Sequence, residues 1–235
     1  MPGRLLLGLG QWWRRYKYRF VPWVALNLSH NPRTLRYVPE AFKDKVISDE
    51  DVLGMLLKVF QALFVNDFDK QAAILTVLPE LVHSKYQDLL SGTVYQKYEP
   101  IFFQSIGNPF IFRCLDGILI DGNDKGISRL VYRSCNRRDR LGPFKMSDST
   151  WLTSETQNPL AVGQYVNNCS NDRPANVCYQ EFDLPTVFPV ELKQYLPNIA
   201  YSWDGQSSLR CVVLVALRDI RQGEELFSNY YTIVS

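Results

Sequence analysis

Hydrophobic residues recur at helical spacing in the first half of the chain. Ser48, followed by three acidic residues at 49–51, predicts a helix N-cap with carboxylates at the positive end of the helix dipole. The apolar positions that follow lie three or four residues apart: Val52, Met55, Leu56, Val59, Phe60, Leu63 and Phe64. We therefore expect an amphipathic helix over about residues 49–66. A second helix is expected from about Asp69 to Pro79, and a short one over 80–90.

The pattern changes at Gly92 to short apolar runs separated by Gly, Pro and Asn. These runs predict strands at 93–95, 101–103, 110–114 and 118–120. The basic segment 129–140 is predicted as a solvated loop, and the valine-rich run 209–217 as a buried strand. The predicted fold class is α+β, with an N-terminal helical region followed by a mostly β region.

Composition narrows the class of protein. A chain of 235 residues with 46 % hydrophobic residues can bury one sizeable core and a small helical appendage. Five scattered cysteines without a C-x-x-C, and only two histidines, favour a reduced intracellular protein without a metal site. Nucleus, cytoplasm and mitochondrion stay open as compartments. No apolar run reaches the roughly 20 residues of a membrane span.

Residues 1–39 contain no acidic side chain, and their arginines are interleaved with aromatic residues. This pattern has several interpretations: a targeting arm, an interfacial helix, or a contact with nucleic acid or another acidic partner. A fourth is an arm whose aromatic rings pack on the body while its arginines face water. The net charge of +2 favours none of them. We treat 1–40 as a basic aromatic arm and 41–90 as a helical region.

Two polar segments of the β region stand out. The first is Gly-Gln-Tyr-Val-Asn-Asn-Cys-Ser at 163–170, closing at Pro174-Ala-Asn-Val; the second is Arg-Asp-Ile-Arg-Gln-Gly-Glu-Glu-Leu-Phe-Ser-Asn-Tyr-Tyr at 218–231. Taken separately, they would be a polar turn and an ordinary buried edge. Together, in this order, they resemble the two signature segments of SET-domain protein methyltransferases. The second match is the stronger, and residues 91–235 are identified as a partial SET domain.

The resemblance implies a protein-lysine methyltransferase that uses S-adenosylmethionine and acts on a protein substrate. Asn167 and Asn168 match the cofactor-binding segment, Tyr230 matches the catalytic tyrosine, and Tyr231 would be a cofactor neighbour. The family threads its C-terminal segment through a loop to form a pseudoknot. Methyl transfer to an uncharged amine depends mostly on alignment, which needs no metal. Paired carboxylates such as Glu224 and Glu225 are usually only solvated.

One part of the family pattern is missing. Members begin the domain with a glycine-rich turn flanked by strands, whereas here the helical prediction for 83–90 runs directly into Gly92. The N-terminal SET strands are therefore expected to be absent, as if a segment were lost between Leu90 and Gly92. The rival hypothesis is a catalytically inactive SET-derived module that binds a protein partner. A third hypothesis is a hydrolase with Cys169 as its nucleophile. Such an enzyme needs a general base close to the thiol, and the two histidines of the chain, His30 and His83, are the candidates.

Overall fold

The structure is a computed structural model that describes residues 35–38, 45–65, 88–202 and 208–234. Its helices are α1 (Asp49–Val65), α2 (Phe102–Ser105) and α3 (Gly126–Arg138). Its first strands are β1 (Leu35–Val38), β2 (Gly92–Tyr95), β3 (Ile111–Arg113), β4 (Leu119–Asp121), β5 (Arg140–Leu141) and β6 (Phe144–Lys145). The later strands are β7 (Asn167–Asn168), β8 (Val177–Asp183), β9 (Asn198–Ala200), β10 (Arg210–Ala216), β11 (Phe227–Ser228) and β12 (Tyr231–Val234). The predicted α+β class is confirmed.

Helix α1 forms where the sequence predicts it. Asp51 donates its backbone N–H to the Ser48 hydroxyl at 3.1 Å, which is the expected N-cap. The apolar face is buried, and the Phe60 ring packs against Phe188 and Tyr195 with ring centroids 6.2 and 5.8 Å apart. The helix therefore covers one side of the β region. In the part of the chain that the structure describes, no helix is long and apolar enough to cross a membrane.

The larger sheet has the strand order β3-β4-β2-β9. Strand β2 pairs antiparallel with β4 and parallel with β9, so both of its edges are hydrogen-bonded. Strand β2 is therefore an inner strand of this sheet.

Strands β8 and β10 pair antiparallel along their whole length. Strand β10 confirms the predicted buried strand at 209–217, and its residues from Cys211 to Val215 are fully buried. Strand β8 was not predicted. It carries a buried glutamine, Gln180, whose side chain accepts hydrogen bonds from the backbone N–H groups of Val46 and Ile47. This contact fixes the chain before α1 onto the sheet.

Three secondary-structure predictions are wrong. Residues 101–103 do not form a strand: Ile101 is the N-cap of helix α2, and Phe102 and Phe103 are its first two residues and are exposed. The segment 129–140 is mostly helix α3, because Ser128, Tyr132 and Cys135 recur at helical spacing and are buried beneath a charged outer face. At the end of the predicted helix 80–90, residues 88–90 are extended instead.

Residues 88–90 are extended because tertiary hydrogen bonds hold them beside β10. Leu90 donates its N–H to the Val212 carbonyl at 2.8 Å, and Leu214 donates to the Asp88 carbonyl at 2.7 Å. Pairing with a buried strand overrides the local helical pattern. Residues 66–87, which hold the rest of the two predicted helices, lie outside the described residues, as does the arm before Leu35.

Candidate active site

The two polar segments meet in space. Strand β7 pairs parallel with β11, so that Asn167 lies opposite Phe227 and Asn168 opposite Ser228. Cys169 donates its N–H to the Ser228 carbonyl at 2.9 Å. The sequence-predicted residues Asn167, Asn168 and Tyr230 are therefore brought together.

Asn176 joins the loop after β7 to the C-terminal segment. Its side-chain amide donates to the Glu225 carbonyl at 2.9 Å and to the Glu224 carboxylate at 3.2 Å, and its Oδ1 accepts from the Phe227 N–H at 2.8 Å. The residue is buried, and its main chain bonds to Phe227 and Leu217. This one asparagine thus joins the loop after β7 to several polar groups of residues 217–227, a role that sequence reasoning did not assign.

Asn168 and Tyr230 position each other. The Tyr230 backbone N–H donates to Asn168 Oδ1 at 3.1 Å, and the Tyr230 hydroxyl donates to the Val166 carbonyl at 2.5 Å. The ring is 45 % exposed. The phenol is therefore fixed at its hydroxyl while one side of the ring stays open to solvent.

Tyr179 is a second phenol near the site, and nothing in the sequence around it, Val-Cys-Tyr-Gln at 177–180, indicates this position. It is buried on β8, and its hydroxyl donates to the Gly163 carbonyl at 3.1 Å. Burial raises the pKa of Tyr179 well above its usual value, and the nearby Tyr230 raises it further. The hydroxyls of Tyr179 and Tyr230 thus donate to two backbone carbonyls that are three residues apart in sequence.

Both glutamates of the C-terminal turn have partners. The Arg218 guanidinium pairs with Glu224, and this contact, helped by the Arg221 N–H and Asn176, lowers the pKa of Glu224 to about 2. Glu225 accepts from the Asn167 amide at 2.7 Å and pairs with Arg173 at 3.3 Å. The prediction that these carboxylates are only solvated is wrong, because each one ties two chain segments together.

Two predicted residues gain less support. Tyr231 begins strand β12, which pairs with β1, and its side chain lies outside the described residues. Its place at the cofactor stays a prediction. The Cys169 thiol is buried, and burial raises its pKa, so that the reactive thiolate is disfavoured. His30 and His83, the bases of the hydrolase hypothesis, are outside the described residues.

A separate cluster has the residue types of a metal site. Side-chain atoms of Cys114, Asp116 and Glu181 lie within 4.8 Å of one another. The Arg210 guanidinium already supplies a positive charge there, since it donates to Glu181 at 2.5 Å and to Asp116 at 3.1 Å. We assign this cluster a structural role between β10, β8 and the β3-β4 turn.

Comparison with known proteins identifies the family. No protein-family model matches the chain, and no solved structure matches it either. SET domain-containing protein 9 of Homo sapiens is 68 % identical over 299 aligned positions, which cover 100 % of this chain and 100 % of the relative. SET domain-containing protein 9 of Pongo abelii is 65 % identical over 266 positions, which cover 86 % of this chain and 97 % of the relative. The first alignment is 64 positions longer than the 235 residues of this chain. With this identity over its full length, the chain belongs to the SET-domain protein family.

Proposed function

We propose that this chain is a SET-domain protein of the S-adenosylmethionine-dependent protein-lysine methyltransferase class. Tyr230 is the catalytic residue, and Asn167, Asn168 and Tyr231 hold the cofactor. The observation that carries the proposal is the hydrogen bond from the Tyr230 hydroxyl to the Val166 carbonyl, one residue before β7. This hydrogen bond holds Tyr230 of the second polar segment in contact with the first polar segment, which contains Asn167 and Asn168.

A C-terminal pseudoknot is part of the proposal. Support comes from the parallel pairing of β7 with β11 and from Asn176, whose side chain hydrogen-bonds to the Glu225 carbonyl and to the Phe227 N–H. These contacts would hold the C-terminal segment against the loop 169–176. A pseudoknot of this kind fixes residues distant in sequence, and the site then does not depend on loop mobility.

The residues present fit a polar cofactor. The Ser228 hydroxyl is fully buried, and none of the described residues makes a hydrogen bond to it, although it lies opposite Asn168. A buried hydroxyl without a partner usually indicates a water or ligand atom. Asn167, the preceding residue of β7, is exposed, and its side-chain amide donates to Glu225. S-adenosylmethionine would supply a methyl group on a positively charged sulfur.

The chain's own residues would orient the acceptor. The phenols of Tyr179 and Tyr230 point at the carbonyl oxygens of Gly163 and Val166, so the site presents hydroxyl and carbonyl oxygens together. These oxygens accept hydrogen bonds from a lysine amine and favour one direction of its lone pair. Since the site is preorganised, most of the rate gain would come from alignment of the two reacting atoms.

The rival hypothesis is a catalytically inactive SET-derived module that binds a protein partner. It is favoured by the missing glycine turn and by the longer alignment with the human relative. In addition, the Leu89 backbone lies against Gly163, whose N–H donates to the Leu89 carbonyl at 3.0 Å. The Leu89 backbone thus lies where it contacts Gly163 of the first polar segment. From the missing glycine turn we infer that the lost segment belongs between Leu90 and Gly92.

A transfer assay separates the two hypotheses. The full chain and its Tyr230→Phe variant are incubated with S-adenosylmethionine carrying a tritiated methyl group and with a mixture of lysine-rich proteins. Methyl-lysine formed by the parent chain and not by the variant supports the enzyme. Equal label in both would contradict the role of Tyr230. Absence of label, in a sample that also fails to bind the cofactor, would contradict the enzyme and leave the binding module as the remaining hypothesis.

A further inference from the structure

Helix α3 carries a row of arginines on its outer surface. Arg129, Arg133 and Arg137 follow one another at four-residue intervals, and Lys125 precedes the helix at the same interval. All four are exposed. At 1.5 Å per residue the row extends over about 18 Å. In sequence it is distinct from the basic arm at 1–40.

The inner face of α3 fixes the direction of this row. Tyr132 is buried, its hydroxyl donates to the Asp148 carbonyl at 2.9 Å, and its ring lies 4.6 Å from that of Trp151. Ser128 and Cys135 are buried on the same side. Because this face is anchored, the arginines are held on a rigid outer surface.

The hairpin after α3 extends the positive surface. Strands β5 and β6 set Arg140 opposite Lys145 and Leu141 opposite Phe144, and all four side chains are exposed. Residues 125–145 contain seven basic side chains and one acidic one, Asp139. Asp139 is buried and paired with Arg138.

The charge of the row is not neutralised locally. Among the residues that the structure describes, ion pairs join other arginines to carboxylates but none involves Arg133 or Arg137. Residues 125–145 have a net charge of +6, from seven basic and one acidic side chain, whereas the whole chain has a net charge of only +2. A concentrated positive surface attracts polyanions.

We propose that this surface, defined by Lys125, Arg129, Arg133, Arg137, Arg140 and Lys145, binds the phosphate backbone of a nucleic-acid duplex. Each strand of a duplex carries one charge per 3.4 Å of axis, so about 18 Å of helix passes about five phosphates. Arginine offers a planar fork of donors that matches phosphate oxygens. An acidic protein partner fits less well, because a regular row of cations at intervals of about 6 Å suits the evenly spaced charges of a duplex.

The surface lies next to the candidate active site. Asp124, just before α3, accepts a hydrogen bond from the Tyr165 hydroxyl at 3.0 Å, and Tyr165 is two residues from Asn167. A duplex bound along α3 would therefore have one end near the asparagine segment. The binding proposal itself does not depend on methyl transfer.

The test compares paired substitutions in the full chain. Binding of a fluorescein-labelled 20-base-pair DNA duplex is measured by anisotropy at several salt concentrations for the parent chain, Arg133→Gln/Arg137→Gln and Arg133→Lys/Arg137→Lys. The control is Lys58→Gln/Lys97→Gln, which removes the same charge from exposed positions elsewhere. Losing two phosphate contacts should weaken binding on the order of tenfold near 100 mM salt and reduce the slope of log K against log salt by about 1.8.

The lysine pair should keep the slope of the parent chain, and the Lys58/Lys97 control should bind like the parent. The proposal is overturned if the parent chain does not bind the duplex, or if the control weakens binding as much as the arginine pair. It is also overturned if the arginine pair leaves duplex binding unchanged but abolishes binding of labelled polyglutamate, since the surface would then serve an acidic protein. Thermal melts of each variant check that these exposed changes leave the fold intact.

Discussion

The Tyr230 hydroxyl donates a hydrogen bond to the main-chain carbonyl of Val166, across 64 residues of sequence. Removing only this hydroxyl, as Tyr230→Phe, should lower the free energy of unfolding by about 1 kcal/mol and leave cofactor binding in place, since a half-exposed hydrogen bond contributes little. Urea unfolding and calorimetric titration with S-adenosylmethionine measure the two effects. Tyr98→Phe is the matched control, because Tyr98 is 82 % exposed. If Tyr230→Phe lowered the free energy of unfolding by several kcal/mol, the Tyr230 hydroxyl would have a structural role in the core and not a role at the site.

Asn176 should be the most sensitive polar residue of the site. Asn176→Ala leaves the Phe227 N–H without its side-chain acceptor and removes the amide that donates to the Glu225 carbonyl. Each buried group left unpaired costs about 1 to 3 kcal/mol, so we expect a loss of roughly 2 to 5 kcal/mol in urea unfolding. The control is Asn171→Ala, an exposed asparagine of the same loop. If Asn176→Ala and Asn171→Ala lowered the free energy of unfolding by the same small amount, Asn176 would not hold the C-terminal segment to the loop after β7.

Gly163 has no room for a side chain. A Cβ at this position would lie 2.9 Å from the backbone carbon and oxygen of Leu89, so Gly163→Ala must displace one of two paired segments. We expect destabilisation of about 1 to 3 kcal/mol, measured by thermal unfolding. Gly54→Ala in helix α1 is the matched control, because a Cβ there meets nothing within 4 Å, and it should stabilise by about 0.5 to 1 kcal/mol. Gly163→Ala should thus lower the free energy of unfolding, and Gly54→Ala should raise it.

The contact between Arg218 and Glu224 should give the chain an acid-sensitive component of stability. The pKa of Glu224 in the folded chain is lowered from 4.5 to about 2. The carboxylate therefore stabilises the fold above about pH 4.5, and its contribution is lost as the pH falls toward 2. Urea midpoints of the parent chain and Glu224→Gln should differ most above pH 4.5 and converge at lower pH. If the difference between the two urea midpoints grew as the pH fell below 4.5, the ionised Glu224 carboxylate would not be the stabilising form.

Sequence pattern was sufficient where local periodicity and burial agree. Helix α1 and strand β10 have strong apolar patterns. That Asn167, Asn168 and Tyr230 would lie close together was expected from the resemblance of the two polar segments to the SET-domain family, and their role at a site stays a prediction. Helix α3 was missed because its four arginines mask the helical spacing of Tyr132 and Cys135.

Other features depend on partners distant in sequence. Residues 88–90 are extended because β10 offers hydrogen bonds, and no local pattern shows this. Asn176 and Tyr179 gain their roles from segments 51 and 16 residues away. Polar residues of this kind become recognisable only when the backbone groups they satisfy are in place.

A thermal-shift titration of the purified full chain with S-adenosylmethionine tests the central claim most directly. At 100 times its Kd a ligand stabilises the folded state by about 2.7 kcal/mol, which for a chain of this size raises Tm by roughly 5 to 10 °C. We predict a saturable rise that is lost in Asn168→Ala and kept in Asn171→Ala. A cooperatively folded sample whose Tm does not change up to millimolar cofactor would contradict the methyltransferase and leave the binding module.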